Sequence, residues 1–239
     1  MIRTSQVHHC RACGSTHIVK NGRNRSGRQQ YQCHTCGASK VLLPKQRYSE
    51  ERKAEVLRAY QERSSLQGLS RTFGITRKTI TQWLKKLLSL PTVKETLFAA
   101  KASDVLELDE AWSFVWRRKN KRWLWTVMCR RTRQIVAFAN GDHSEATCRA
   151  LWERVPEAYR KCRSFSDFWK TYAAVLPEKT HRSVGKETGQ TAHMERWNNT
   201  LRQRVGRFVR ETLSFSKKDW WHDRVTHWFI VEYNLSCSW

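Results

Sequence analysis

The chain has no long apolar run. None of its apolar segments approaches the roughly 20 residues that a helix needs to cross a bilayer. Residues 1–10 also lack the apolar core of a signal peptide. These absences argue against a helical membrane protein, so we expect a cytoplasmic protein without a membrane partner.

Acidic residues are scarce as well. None occurs before Glu50, and the whole chain has 21 acidic residues against 45 lysines and arginines, which gives a formal net charge of +24. A basic excess of this size predicts a polyanionic partner, and nucleic acid is the first candidate. Charge alone does not separate an enzyme that acts on DNA from a ribosome-associated or merely basic protein.

The cysteines cluster in the first segment. Without an export signal the eight cysteines are expected to stay reduced. Cys10-x-x-Cys13 and Cys33-x-x-Cys36 are separated by nineteen residues, which is a typical spacing for zinc sites. Four thiolates complete a closed tetrahedral site. We therefore predict a zinc ribbon over residues 1–44 that binds one structural zinc ion, with four unligated thiols as the alternative.

The segment between the cysteine pairs, HIVKNGRNRSGRQQYQC, has the pattern of a strand, a basic turn and a second strand. Arg23, Arg25 and Arg28 in this segment are candidates for phosphate contact. A turn that only increases solubility is the competing interpretation. The nearby histidines could each replace a cysteine as a ligand: His8, His9, His17 and His34.

Residues 45–90 have the pattern of a helix-turn-helix module. Three helices are predicted, with Ser49 and Thr76 as N-caps and Gly74 ending the second helix. The second helix of such a module enters the major groove of DNA. The candidates for groove contact are Arg77, Lys78, Thr81 and Gln82. A three-helix bundle that binds protein is the alternative.

The composition changes near residue 100, since eleven of the twelve tryptophans follow Asp109. We predict a linker over residues 91–103 and a further domain over residues 104–239. VLELDEAWSFV, RWLWTVMCRR and QIVAFANG indicate three antiparallel strands. After them, the pattern predicts a helix over SEATCRALWERVPEAYRKC, then strand, helix, strand and helix. This order is typical of an α/β domain with a mixed sheet flanked by helices.

Three carboxylates stand out in this predicted domain. Asp109 is placed at the end of the first strand and Asp167 at the end of the fourth, while Glu195 lies on the last helix of the pattern. If the sheet follows the ribonuclease H arrangement, the two strands are neighbours. Three converging carboxylates can hold two Mg²⁺ or Mn²⁺ ions for phosphoryl transfer. The pattern leaves rival acids open: Asp104, Glu110 and Asp142.

Two residues share the helical face of Glu195. Asn198 and Arg202 follow it by three and seven positions, so that all three side chains point in one direction. Asn198 could orient a carboxylate or a phosphate, and Arg202 could neutralise a phosphate. The tryptophans near these acids could stack on frayed bases, although core packing is the favoured role: Trp112, Trp116, Trp169 and Trp197.

With these motifs the chain resembles the transposases of bacterial insertion sequence one. The resemblance extends over GLSRTFGITRKTITQWLKK, LDEAW, SDFWKTY and HMERWNNTLRQRVGRFVRETLSFSKK. It implies a DDE-type transposase with a ribonuclease H-like core, in which Asp109, Asp167 and Glu195 bind the catalytic metal ions and Asn198 and Arg202 support them.

The resemblance also implies a function and partners. Such an enzyme binds the terminal inverted repeats of its element, cleaves the DNA there and joins the 3′-hydroxyl ends to target DNA. It acts as a homo-oligomer that brings two ends together, at the nucleoid. The alternatives are a helix-turn-helix transcriptional regulator, whose C-terminal domain would be non-catalytic, and an inactive transposase copy.

Overall fold

The computed structural model describes residues 7–42, 48–86, 90–209 and 211–237. The chain divides into two compact units, residues 1–52 and residues 53–239. None of the helices in the described part combines the length and apolar character that crossing a bilayer requires.

The N-terminal unit contains a small antiparallel sheet. Its strands are β1 (Ile18–Arg23), β2 (Gln29–Cys33) and β3 (Ser39–Lys40). The predicted pair of strands joined by a basic turn is confirmed, because β1 and β2 pair antiparallel with Ile18 opposite Cys33. Strand β3 is too short to show an alternating pattern and was not predicted.

Three helices follow, as the sequence predicts: α1 (Glu50–Gln61), α2 (Leu66–Phe73) and α3 (Arg77–Lys86). The hydroxyl of Ser49 accepts a hydrogen bond from the Arg52 amide, and the Thr76 hydroxyl accepts one from the Thr79 amide. Gly74 ends α2 with a φ of +67°, a left-handed conformation that glycine adopts without strain. These helices form the helix-turn-helix module.

The segment predicted as a linker is bonded to the domain that follows it. It contains a short 3₁₀ helix, Val93–Thr96. The carbonyl of Thr96 accepts a hydrogen bond from Gln134 Nε2 at 2.7 Å, and its hydroxyl accepts one from Asn234 Nδ2 at 2.9 Å. Residues 93–96 are therefore held against the following domain by these hydrogen bonds. The domain boundary itself stays a prediction.

A five-stranded mixed sheet forms the centre of the larger unit. Its strands are β4 (Val105–Phe114), β5 (Lys121–Cys129), β6 (Ile135–Gly141), β7 (Arg163–Ser166) and β8 (His181–Ser183). They lie in the order β6-β5-β4-β7-β8. Strands β4, β5 and β6 are antiparallel, whereas β7 is parallel to both β4 and β8. The predicted mixed sheet is confirmed.

Helices cover both faces of this sheet. They are α4 (Glu145–Arg154), α5 (Glu157–Arg160), α6 (Lys170–Val175), α7 (Ala192–Arg204) and α8 (Asp219–Ser236). The prediction of one continuous helix over residues 144–162 is wrong, because Val155 and Pro156 take extended backbone angles between α4 and α5. A proline removes a backbone donor and disfavours helix in the residue before it.

Strand β4 contributes side chains to both hydrophobic cores. Leu106 and Leu108 pack with Cys148 and Tyr172 on the side of α4 and α6. Ala111 packs on the opposite side, against residues of α7 and α8. Because side chains alternate along a strand, adjacent residues of β4 point to opposite faces. This alternation sends Asp109 towards α7 and Glu110 towards α6.

Candidate functional site

Asp109 lies in the middle of β4, so the prediction that it ends the strand is wrong. The parallel pairing of β4 with β7 ends at Glu107, and Asp109 lies two residues beyond it. One carboxylate oxygen accepts the Glu110 amide at 2.8 Å. The other accepts Asn198 Nδ2 at 2.7 Å. This hydrogen bond connects Asp109 directly to helix α7.

Asp167 follows the last residue of β7, as predicted. Its carboxylate accepts the amide of Trp169 at 3.0 Å. Since β4 and β7 are parallel neighbours, Asp109 and Asp167 lie at the same edge of the sheet. Burial raises the pKa of Asp109 to about 7, with further contributions from the negative charges of Glu110 and Asp167, against the opposing effect of its hydrogen bonds. The site thus carries excess negative charge.

Glu195 lies on the first turn of α7 and is exposed. The Thr191 hydroxyl donates a hydrogen bond to the Glu195 carboxylate at 3.4 Å. Among the described residues, the three acids do not form a group whose ligand atoms all lie within 4.8 Å, as the four cysteines do. The structure thus brings Asp109, Asp167 and Asn198 to one edge, and Glu195 stands on the same helix one turn before Asn198.

Asn198 has a second polar atom directed into protein. The residue is 2% exposed. Its Nδ2 is used by Asp109, whereas Oδ1 is buried and accepts no hydrogen bond from the described residues. A buried acceptor without a donor is costly unless a bound group satisfies it. Arg202, two turns after Glu195, is half-buried.

Glu107 anchors the start of α7, a role that the sequence analysis missed. Its side chain is fully buried, and Oε2 accepts the backbone amides of His193 and Met194, both at 3.0 Å. The guanidinium of Arg130 contacts Oε1 at 2.7 Å. Carboxylates satisfy the free amides at a helix N-terminus and interact well with its dipole. The available signal in the sequence was the position of Glu107 between Leu106 and Leu108, two apolar residues of a predicted strand.

An aromatic clamp, defined here as Trp123, His143 and Trp169, lies beside the two aspartates. The His143 ring stacks between Trp123, at 3.9 Å, and Trp169, at 4.1 Å. His143 Nε2 is hydrogen-bonded to Glu110 at 2.9 Å, and the Tyr172 hydroxyl donates to the same carboxylate at 2.7 Å. The backbone amide of Glu110 donates to Asp109, and that of Trp169 donates to Asp167. Through His143, which contacts both Glu110 and Trp169, the clamp links the two chain segments that contain these aspartates.

The clamp residues were not predicted as a group, because only the folded chain brings them together. Glu110 was considered as a rival acid, and the structure gives it this supporting position. The other two rivals have structural partners. The Arg131 guanidinium holds the pKa of Asp104 below its ordinary value. Hydrogen bonds from the Ser144 and Thr147 hydroxyls, at the start of α4, lower the pKa of Asp142.

The tryptophans near the acids differ in exposure. Trp197 is buried in the core, as expected. Trp116 and Trp169 are 50% and 41% exposed, and Phe168 beside Asp167 is 70% exposed. The expectation of core packing is therefore wrong for Trp116 and Trp169.

The four predicted zinc ligands lie together. All four sulfur atoms are within 4.8 Å of one another, with Cys10 Sγ 3.7 Å from Cys36 Sγ and Cys13 Sγ 3.6 Å from Cys33 Sγ. Sulfurs bound tetrahedrally at about 2.3 Å from zinc are about 3.8 Å apart. The cysteines therefore fit a zinc ion, and the described histidines are not members of this group.

Two turns shape this cluster. The amide of Gly14 donates to the Cys10 carbonyl, and that of Gly37 donates to the Cys33 carbonyl, each at 2.9 Å. Both glycines have a positive φ, +76° and +70°, which explains why glycine follows each cysteine pair.

The candidate DNA-contact residues lie on the surface. Arg23 and Arg25 are exposed and Arg28 is half-buried. On α3, Thr81 is half-buried and the others are exposed: Arg77, Lys78 and Gln82.

Comparison with known proteins connects the chain to one family. A family model described as IS1 transposase matches residues 104–235, and one described as a homeodomain-like domain matches residues 47–89. The chain is 33% identical over 131 residues to the insertion element iso-IS1n protein InsB of Shigella dysenteriae, which covers 54% of this chain and 95% of that protein.

Further relatives agree with this match. The insertion element IS1 protein InsB of Shigella flexneri is 34% identical over 119 residues, which covers 50% of this chain and 88% of the relative. An IS1 InsB protein of Escherichia coli K12 is 33% identical over 126 residues, which covers 52% of this chain and 73% of the relative.

Proposed function

The chain belongs to the IS1 transposase family, and we propose that it is a DDE-type DNA strand transferase. It binds the terminal inverted repeats of an insertion element, cleaves DNA at the ends and joins the 3′-hydroxyl ends to target DNA. The observation that carries the proposal is the hydrogen bond between Asp109 and Asn198 at the sheet edge that also holds Asp167.

The topology supports a ribonuclease H-like core. Three antiparallel strands, β4 to β6, are followed by β7, which pairs parallel to β4, and by β8 at the outer edge. In this arrangement the strand that contains the first acid and the strand that ends before the second are neighbours. The last acid then comes from a helix packed against the same edge, and α7 meets that requirement.

The acids and Asn198 fit catalytic Mg²⁺ or Mn²⁺. Oxygen ligands suit these hard ions. A bound cation would offset both the burial and the neighbouring negative charges that raise the pKa of Asp109, and the buried Asn198 Oδ1 lacks a donor among the described residues. Two such ions, when bound, supply activation of a water or 3′-hydroxyl and stabilisation of the leaving oxygen.

Each protein residue has a separate role in this proposal. Asp109, Asp167 and Glu195 hold the metal ions. Asn198 fixes the orientation of the Asp109 carboxylate, and its Oδ1 accepts a hydrogen bond from the bound substrate or from a water molecule. Arg202 neutralises a DNA phosphate.

The N-terminal part of the chain recognises the DNA in this proposal. The zinc ribbon holds one zinc ion, and its basic residues contact phosphates: Arg23, Arg25 and Arg28. Helix α3 enters the major groove with Arg77, Lys78, Thr81 and Gln82. Bringing two ends together calls for a homo-oligomer, and the DNA substrate places the enzyme at the nucleoid in the cytoplasm.

A strand-transfer assay on pre-cut element ends tests the function. In Mg²⁺, Glu195→Gln should slow joining by about a hundredfold or more, because each loss of about 1.4 kcal/mol in transition-state stabilisation costs a factor of ten. The matched control is Glu178→Gln, another exposed glutamate of the same unit, which should join like the wild type. Binding of the end DNA should be unchanged in both variants.

Equal joining by the wild type and Glu195→Gln would refute the role of Glu195. Specific binding of end DNA without metal-dependent joining by the wild type, on correctly cut ends, would favour the transcriptional regulator or the inactive copy.

A further inference from the structure

The turn between β4 and β5 is strongly basic and has no role in the function proposed above. We call residues 115–122 the hairpin tip. Within these eight residues there are five cations: Arg117, Arg118, Lys119, Lys121 and Arg122. Residues 116–121 are exposed, and Arg122 is half-buried. A tight cluster of exposed cations on one rigid hairpin is suited to a polyanion.

Most of this charge has no ion-pair partner in the part of the chain that the structure describes. In the described residues, Arg118 contacts Glu211 at 3.4 Å and Arg122 contacts Asp219 at 2.6 Å. The Arg118 pair is largely exposed and so contributes little. Arg117, Lys119 and Lys121 have no carboxylate partner within the described part of the chain, and Lys121 lies over the Trp112 ring. These three cations are available to phosphates.

The hairpin tip is held in one conformation. The amide of Val115 donates to the Asn120 carbonyl at 3.1 Å, and the Trp116 amide donates to the Ser216 carbonyl at 2.7 Å. Trp116 has a φ of +67°, which is unfavourable for a bulky residue. It is also 50% exposed. A strained conformation that keeps a large ring in solvent points to use of that ring in binding.

The basic surface continues from the hairpin tip to helix α3. Lys217 Nζ lies 5.7 Å from the centre of the Trp116 ring. Lys217 also lines a groove whose other residues include Arg63 and Arg77, and Arg77 is the first residue of α3. Arg63, Arg77 and Lys217 all belong to the same compact unit, residues 53–239. A basic path therefore joins the predicted recognition helix to the end of β4.

The length of β4 sets the distance of this surface from Asp109. Phe114, the last residue of the strand, lies five positions after Asp109, which corresponds to about 17 Å at a rise of about 3.4 Å per residue. A DNA strand advances by about 3.4 Å per nucleotide. For a duplex that lies along β4, the start of the hairpin tip would therefore contact the backbone about five base pairs from a phosphate held at Asp109.

We propose that the hairpin tip and Lys217 form a second DNA-binding site, which grips the phosphate backbone of the duplex without reading its sequence. Trp116 packs its ring against the sugars between the phosphates. The site continues the path of α3 and positions the DNA that flanks the reacting phosphate. This inference rests on the proposed function, since it assumes that the substrate at Asp109 is DNA.

The test removes the three unpaired charges in the full-length zinc-bound protein. The variant is Arg117→Gln, Lys119→Gln and Lys121→Gln together, and the measurement is Kd for a pre-cut element-end duplex as a function of NaCl concentration. Each phosphate contact contributes about 0.9 to the slope of log Kd against log salt. We expect the slope to fall by about 2 to 3 and the affinity to fall at least about tenfold at low salt.

A second triple variant controls for the change in net charge. The variant combines Lys161→Gln, Arg163→Gln and Lys179→Gln. Arg163 is the first residue of β7, Lys161 precedes β7, and Lys179 precedes β8. All three therefore lie at the opposite end of these parallel strands from Asp167. This control should keep the wild-type slope. Equal changes in both triple variants, or no change in the hairpin variant, would overturn the proposal.

Trp116→Gly separates binding from folding. Glycine adopts the positive φ of this position without strain, so the thermal unfolding midpoint should not fall, while affinity should drop severalfold on element ends and on an unrelated duplex alike. Unchanged affinity would remove Trp116 from the site. The hairpin result is also independent of catalysis, because Glu195→Gln should lose joining and keep the wild-type salt slope.

Discussion

Asp109→Asn should abolish joining while the protein stays folded and binds DNA. The substitution keeps the shape of the side chain and removes the charge that a metal ion requires. Metal ions contribute several kcal/mol of transition-state stabilisation, and each 1.4 kcal/mol is a factor of ten, so we expect a loss of about a thousandfold or more. Joining rates in Mg²⁺, measured beside the affinity for end DNA, check this expectation.

The same variant should change how stability depends on pH. Because the pKa of Asp109 is raised from 3.8 to about 7 in the folded protein, the folded state binds more protons than the unfolded state between about pH 4 and 7. The free energy of unfolding contributed by this group is therefore highest below pH 4 and falls as the pH rises through 7. Asparagine does not titrate, so this part of the slope disappears.

Urea unfolding at pH 5 and pH 8, without added Mg²⁺, measures this effect. At pH 8, Asp109→Asn should be at least as stable as the wild type, because the substitution removes a buried negative charge and its repulsion from Glu110 and Asp167. A large loss of stability in the variant would show that Asp109 is a structural residue. Joining at the wild-type rate would remove it from the catalytic site.

Cys33→Ser should unfold the N-terminal ribbon. Cys33 is 1% exposed, and its sulfur belongs to the group of four. Structural zinc supplies apparent binding free energies of about 10 to 16 kcal/mol in small zinc domains, and this energy is also folding energy. The wild type should contain about one zinc ion per chain, whereas the variant should lose it and become sensitive to protease within residues 7–42.

Cys237→Ser is the matched control for this prediction. Cys237 is half-buried and lies outside the cluster, so its replacement should leave the zinc content and the protease resistance unchanged. Element-end binding should fall only in Cys33→Ser. A folded, protease-resistant N-terminal segment without metal would contradict the zinc assignment.

Local patterns predicted the elements of the fold well. Alternating apolar residues predicted β4, β5 and β6, and the caps Ser49 and Thr76 predicted helix starts. The cysteine spacing predicted the group of four sulfurs that the structure contains. The misses also have local causes. Strand β3 has two residues, too few for any period, and Pro156 interrupts a segment whose apolar spacing looks continuous.

The arrangement of the candidate site could be predicted only in part. Asp167 and the helix of Glu195 were correctly placed, and the neighbouring strands were anticipated through the family topology. The supports were missed, because they depend on contacts between residues far apart in the chain. Glu107 binds amides 86 and 87 positions away, and His143 meets Glu110 across 33 positions. The helical and strand periods of a sequence contain no information about contacts between such distant residues.

The most direct test of the central claim is cleavage at an element end whose reacting phosphate carries sulfur in place of one non-bridging oxygen. If the carboxylates hold ions that contact this phosphate, one diastereomer should be cleaved at least about tenfold more slowly in Mg²⁺ and should recover in Mn²⁺, because Mg²⁺ binds oxygen and the softer ion accepts sulfur. Cleavage of both diastereomers at the all-oxygen rate in Mg²⁺ would contradict the claim.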